Sequence, residues 1–144
     1  MPDDHTPHQN ATVLQPPGHT LPIGKYSPGV VVPLDAERVM VFISGQVSSD
    51  AEGNCIGVGD AGLQTETVFR MVSDVLKEVG GTLADLVSVV IYLKDMSDFP
   101  AVSQVRNRVL SDPAPASTLV EVSKLAISDH LVEISGVGVV RSPR

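Results

Sequence analysis

A single acidic residue interrupts the apolar stretch LVEISGVGVV at residues 131–140. If this stretch is a strand, alternate residues share a face, so Glu133 lies beside Leu131 and Val137. A carboxylate among apolar neighbours is costly unless it is paired, hydrogen-bonded or protonated. Such a group can orient water or shuttle a proton, which makes Glu133 the candidate catalytic residue. The alternative is a polar contact at an exposed strand edge or strand end.

A second stretch, PAPASTLVEV at residues 113–122, joins a proline corner to a β-branched run. The prolines end the preceding element, and the run favours a strand. A small hydroxyl, Ser117, stands at this corner, where a cleft could form. Ser117 has no charge and one hydroxyl donor, so it influences which charge a ligand in the cleft can carry.

The other reactive side chains give weaker indications. Cys55 lies in a turn rich in Gly and Asn with no histidine nearby in sequence, which argues against a nucleophilic thiol. Ser44 and Ser117 lack a neighbouring base and do not form a hydrolytic dyad. His130 begins the last predicted strand, and we expect it at the surface.

Two short motifs suggest ligands without the residues needed to hold them. His5 and His8 in HTPH could contact a metal ion, but no cysteine or carboxylate completes a coordination shell there, so we predict no metal site. GVGDAG at residues 57–62 is glycine-rich but lacks the lysine of a phosphate-binding loop, which argues against nucleotide binding.

The composition predicts one domain with an aliphatic core. Of the 144 residues, 42% are hydrophobic and only 3% aromatic, so the core consists of Val, Leu, Ile and Ala, which favours strands. The net charge of −7 argues against nucleic acid and anionic membranes as partners. The chain has one cysteine, no apolar run as long as a membrane span, and an acidic, proline-containing N-terminus that differs from a signal peptide. These features predict a cytoplasmic protein.

We predict a flexible extension over residues 1–20 and a single domain over residues 21–144, with the element order β-β-α-β-α-β-β. The predicted strands are 29–33, 39–45, 86–95, 118–122 and 131–140; the predicted helices are 59–81 and a second one from Ser97 or Asp98 through Val109. Two helices cover only one face of a sheet, yet both faces of the last strand are apolar. We therefore expect a second subunit to cover the other face in a closed oligomer.

Several motifs occur in the order and spacing typical of one family. GKYSPGV, VFISGQV, VIYLKDMSDFPAV and PASTLVEVSKL followed by LVEISGVGVV together resemble the reactive intermediate deaminases, the Rid family, also called YjgF or L-PSP. The resemblance runs from about residue 21 to the end. It implies an α+β fold of the chorismate-mutase-like kind, with a six-stranded mixed sheet and two helices on one face. It also implies a homotrimer with a small-molecule cleft between subunits and no metal or organic cofactor.

The resemblance further implies hydrolysis of enamines and imines, such as 2-aminoacrylate, to a keto acid and ammonia. Glu133 aligns with the family's water-positioning glutamate. Leu119 stands where a cysteine is usual, and Ser103 where deaminases often have an asparagine. The implied substrate-binding residues are Tyr26, Ser44, Gly45, Ser103, Ser117, Thr118 and Leu119.

One position departs from the family pattern. Deaminase members usually have an arginine where this chain has Ser117, and that arginine binds the substrate carboxylate bidentately. Loss of such a pair costs on the order of 2–5 kcal/mol in binding the same anion. Arg106, Arg108 and Lys124 are weak candidates for a substitute cation. Helical spacing separates the two arginines by about 200°, so at most one of them faces the cleft.

Three functions remain open at this point. The first is an imine or enamine deaminase whose specificity is altered at Ser117. The second is a trimer of the same fold that binds a small ligand without catalysis. The third is an endoribonuclease, which the net charge of −7 disfavours.

Overall fold

The computed structural model describes residues 10–141 and has the predicted α+β architecture. Short 3₁₀ turns at Leu83–Asp85 and Met96–Asp98 precede β4 and α2, respectively. The strands are β1 (Thr12–Leu14), β2 (Gly29–Pro33), β3 (Arg38–Val47), β4 (Leu86–Leu93), β5 (Ala116–Glu121) and β6 (Val132–Arg141), and the helices are α1 (Ala61–Lys77) and α2 (Phe99–Val109).

The strands form one mixed sheet in the order β1-β2-β3-β6-β4-β5. Only the β4–β5 pair is parallel, because α2 forms the crossover between these two strands. Among residues 10–141, no helix has the length and apolar character needed to cross a bilayer. The six strands and two helices are those that the family resemblance implies.

Local sequence signals explain the boundaries of the elements. Asp35 closes the β2–β3 hairpin by accepting a hydrogen bond from the Arg38 backbone N–H at 2.8 Å. Asp60 caps α1 by accepting from the Leu63 backbone N–H at 3.0 Å. Pro100 lies in the first turn of α2, where its missing N–H costs no helical hydrogen bond.

The last strand has the predicted alternation. Val132, Ile134 and Val140 are buried in the core, whereas Glu133 and the valines on the other face are only half-buried. We call this second surface the open face; it includes Phe42, Val90, Glu133, Ser135 and Val137. Phe42 stands opposite Val137 and is 43% exposed. Coverage of the open face by other subunits stays a prediction.

The N-terminal segment adds a short strand to those predicted, and the flexible extension over residues 1–20 stays a prediction. Thr12–Leu14 form β1, which pairs with β2 through Thr12 and Val31, and the His19 Nε2 lies 2.9 Å from the Asp74 carboxylate on α1. A three-residue strand is too short to show periodicity in the sequence, which explains why it was not predicted. Residues 1–9, including His5 and His8, lie outside the described residues.

Candidate functional site

The candidate catalytic residue, Glu133, lies on a central strand of the sheet, next to a bulge in the neighbouring strand. In β6, Glu133 pairs with Val47 of β3 on one side and with Tyr92 of β4 on the other. The β3–β6 register shifts between Ile43 and Gln46, so β3 bulges at Ser44 and Gly45. A bulge re-aims the backbone and leaves groups unpaired, which is a common way to build a site on a rigid sheet.

Glu133 depends on the glycine at position 45. A Cβ atom added to Gly45 would lie 2.8 Å from the Glu133 Cδ, and closer still to a carboxylate oxygen. The absence of a side chain at Gly45 therefore makes room for the carboxylate. The Glu133 carboxylate has no hydrogen-bond or ion-pair partner among residues 10–141, and burial raises the pKa of this carboxyl group. The group is thus poised to take up a proton more readily than an exposed glutamate.

Ser44, on the same bulge, is held by the preceding loop. Its hydroxyl donates to the Ser27 carbonyl at 2.5 Å, and its backbone N–H donates to the Pro28 carbonyl at 2.9 Å. The hydroxyl proton is engaged, so Ser44 has only its two oxygen lone pairs to offer, as an acceptor. It borders a shallow depression on the open face together with Phe42 and Ser135.

Tyr26 and Gly45 line a cleft of about 110 Å³ between the 19–28 segment and the sheet. Tyr26 is 53% exposed, while His19 and His130 are buried on the cleft's inner side. The described lining residues include no lysine or arginine. This cleft therefore offers hydroxyl, amide and imidazole groups but no positive anchor for an anion.

The β5 residues do not meet Glu133 within one chain. Ser117 pairs with Val89 and so shares the helix-covered face, where Leu119 packs against the core. Thr118 pairs with Val90 and points to the open face, as Glu133 does. Ser117 and Glu133 therefore lie on opposite faces of the same sheet. Leu119 borders a separate depression formed with Met96, Ser97, Phe99 and Pro100.

The three side chains that could replace the missing arginine at position 117 have different surroundings. Arg108 forms an ion pair with Glu66 of α1. Arg106 donates to the Ser103 hydroxyl at 3.1 Å, which engages that candidate binding residue as an acceptor. Lys124 is exposed and has no hydrogen bond or ion pair with any residue that the structure describes.

Two buried polar side chains were not predicted from the sequence. His130 is 2% exposed rather than a surface residue; its Nε2 lies 3.2 Å from the Ser48 carbonyl, and burial lowers the pKa of the imidazole. Gln64, also fully buried, was not singled out. The Gln64–Asp129 and His130–Ser48 contacts join residues more than 60 positions apart, for which a single sequence carries no local signal.

The cysteine and the possible metal ligands among the described residues do not indicate a second reactive site. Burial raises the pKa of the Cys55 thiol, which disfavours the reactive thiolate form. Within residues 10–141, no group of three or more histidine, cysteine or acidic side chains could hold a metal ion.

Comparisons with known proteins give one consistent result. The sequence profile described as endoribonuclease L-PSP matches residues 18–140. A RutC family protein of Pyrococcus abyssi is 35% identical over 81% of this chain and 87% of its own length. The 3-aminoacrylate deaminase RutC of Acinetobacter baylyi is 32% identical over 87% of this chain and 94% of its own length. The crystal structure of RidA from a Psychrobacter species superposes with a TM-score of 0.77 at 29% identity, over 90% of this chain and 99% of that one.

Proposed function

Because the chain belongs to the endoribonuclease L-PSP family, also called the Rid family, we propose that it hydrolyses a small imine or enamine and releases ammonia. The observation that carries the proposal is the half-buried Glu133 carboxylate, held above Gly45 and without a partner among the residues that the structure describes. The relative named as a 3-aminoacrylate deaminase supports the same reaction class.

The reaction needs one group that accepts and returns a proton. An enamine first tautomerises to its imine, and water then attacks the imine carbon while Glu133 accepts a proton from that water. The imine nitrogen takes up a proton, which gives a neutral carbinolamine. Protonated Glu133 donates to the amine, and ammonia leaves as the carbon–oxygen double bond forms. The carboxylate then accepts the hydroxyl proton and passes it to solvent, which replaces the proton that the imine nitrogen took from solvent and leaves Glu133 ionised again. A glutamate with a raised pKa suits both halves of this cycle, and no metal or organic cofactor enters it.

We place the complete site between subunits of a homotrimer. Glu133, Gly45 and Tyr26 would come from one chain, and Ser117–Leu119 of β5 from its neighbour. Two observations support this arrangement: within one chain Ser117 and Glu133 occupy opposite faces of the sheet, and the open face is only half-covered. Packing open faces together would bury Phe42 and Val137.

Ser117 determines the specificity in this proposal. The described lining of the cleft beside Gly45 has no lysine or arginine, and the chain has a net charge of −7. A substrate that relies on a carboxylate for binding loses the charge-assisted pair that an arginine would give. We therefore expect the preferred substrate to be neutral at this end, or to carry its anionic group elsewhere.

The test measures ammonia release from 2-aminoacrylate generated in situ and from an uncharged imine, for the wild type, Glu133→Ala and Ser117→Arg. We expect Glu133→Ala to lose activity on both substrates, by about 10²- to 10⁴-fold, because the proton carrier is gone. Ser117→Arg should raise activity on 2-aminoacrylate alone.

The same assay separates the alternatives. Unchanged activity in Glu133→Ala contradicts the mechanism. Silence of all three proteins on both substrates favours the ligand-binding trimer without catalysis. The net charge of −7 continues to disfavour RNA cleavage, despite the family's older name.

A further inference from the structure

Gln64 joins three separate segments of the chain at one buried amide. It lies in the first turns of α1 and has no exposed surface. Its Nε2 donates to the Gly57 carbonyl at 3.0 Å and to the Asp129 carbonyl at 2.9 Å. Its Oε1 accepts from the Leu131 backbone N–H at 2.8 Å. The side chain thus uses both donors and its acceptor on main-chain groups.

The orientation of this amide is fixed by its partners. A flipped amide would place Oε1 against two carbonyl oxygens and the NH₂ group against a backbone N–H. Three hydrogen bonds would then become three repulsive contacts in a buried place, where unpaired polar groups are costly. Only an amide of this length and orientation satisfies all three main-chain groups.

The segment that Gln64 holds leads directly to the candidate catalytic residue. Asp129 and Leu131 flank His130, and Leu131 stands two residues before Glu133, immediately ahead of β6. The Leu131 carbonyl accepts from the Lys94 N–H at 3.0 Å, so both main-chain polar groups of Leu131 are hydrogen-bonded. His130 reaches the Ser48 carbonyl, just beyond the β3 residue that pairs with Glu133.

We propose that Gln64 is a positioning residue that sets the height of Glu133 above Gly45 through the start of β6. The Glu133 side chain already occupies the space that a side chain at position 45 would need, so it lies directly against the Gly45 backbone. A displacement of Leu131 by about 1 Å would therefore carry Glu133 away from the bulge. The catalytic consequence rests on the proposed deaminase function, whereas the positional coupling does not.

The first experiment measures kcat and KM for Gln64→Glu, with Thr65→Val as the matched control. Thr65 is the next residue, is fully buried, and loses one hydrogen bond to the Ala61 carbonyl when changed to valine. We expect kcat of Gln64→Glu to fall about 10- to 100-fold at pH 8, with KM within twofold, because an ionised carboxylate repels the Gly57 and Asp129 carbonyls.

The pH dependence separates positioning from general instability. At pH 5 the new glutamate is protonated and can again donate one hydrogen bond, so the variant-to-wild-type ratio of kcat should rise at least threefold. Thr65→Val should lower the melting temperature with kcat unchanged. A wild-type kcat in folded Gln64→Glu at pH 8, or an equal kcat loss in Thr65→Val, would overturn the proposal.

A second readout needs no activity and so stands even if the deaminase proposal fails. Carbon-13 NMR titration of the Glu133 carboxyl group in the wild type and Gln64→Glu follows the environment of this group directly. We expect its midpoint to move toward that of an exposed glutamate in the variant and to stay in place in Thr65→Val. An unmoved midpoint in Gln64→Glu refutes the coupling, and a wild type inactive on every imine refutes only the reaction.

Discussion

Substitution of Gly45 by alanine tests the contact on which the site depends. The new Cβ would lie 2.8 Å from the Glu133 Cδ, about 0.6 Å inside the 3.4 Å at which ordinary contact begins. Gly45 does not have the positive φ of Gly53 or Gly57, so alanine is not strained by its backbone. The three nearest atoms all belong to the Glu133 side chain, so the clash acts first on that side chain.

The magnitude follows from two opposed effects. Overpacking against a half-buried, flexible side chain costs about 1 kcal/mol, the low end of the usual range. Alanine lowers the entropy of the unfolded chain and returns about 0.5 kcal/mol. We expect a net loss of about 0.5 kcal/mol in the free energy of unfolding. Activity should fall about 10- to 100-fold, since the carboxylate must retreat from the bulge.

A double-mutant cycle isolates the contact. In a Glu133→Ala background the three atoms nearest to the new Cβ are gone, so Gly45→Ala should stabilise the protein by about 0.5 kcal/mol. The coupling measured by urea denaturation is then about 1 kcal/mol. Gly62→Ala is the control, because its Cβ meets only an Asp60 oxygen at 3.6 Å, and it should leave ammonia release unchanged.

Two results would refute this reasoning. If Gly45→Ala destabilises the Glu133→Ala background as much as the wild type, the close approach does not involve Glu133. If Gly45→Ala retains full ammonia release while Glu133→Ala is inactive, the height of the carboxylate above the bulge is unimportant for the reaction.

Two further predictions concern charge and association. Glu133→Gln should stabilise the protein at pH 8, because burial raises the pKa of Glu133 and the folded wild type then holds an unfavourable charge. This advantage of the variant should shrink as the pH falls through the raised pKa toward 4.5, because the folded wild type becomes protonated. Urea denaturation across this range checks the sign, and a difference that widens on acidification contradicts it. Phe42→Asp on the open face should abolish the proposed trimers in analytical ultracentrifugation. Leu63→Asp on α1 is the control, because Leu63 is similarly exposed at 42%, and it should leave the trimers intact. A trimer that survives Phe42→Asp places the subunit contact elsewhere.

Much of the architecture was predictable because its signals are local. Helix α1 follows from valines at helical spacing after Asp60, and β6 follows from alternating apolar residues. The candidate role of Glu133 came from one carboxylate in an apolar strand. The strand β1 was not predicted, because three residues beside prolines carry too little pattern.

The sequence alone therefore determined which segments form the longer strands and the two helices, and that an acidic residue lies on an apolar strand face. The tertiary structure decided which residues meet: the β3 bulge that sets Gly45 under Glu133, the burial of His130, and the separation of Ser117 from Glu133 across the sheet. The physical reason is that periodicity reports which side of an element is apolar, whereas these contacts depend on pairing register between segments up to about 90 residues apart.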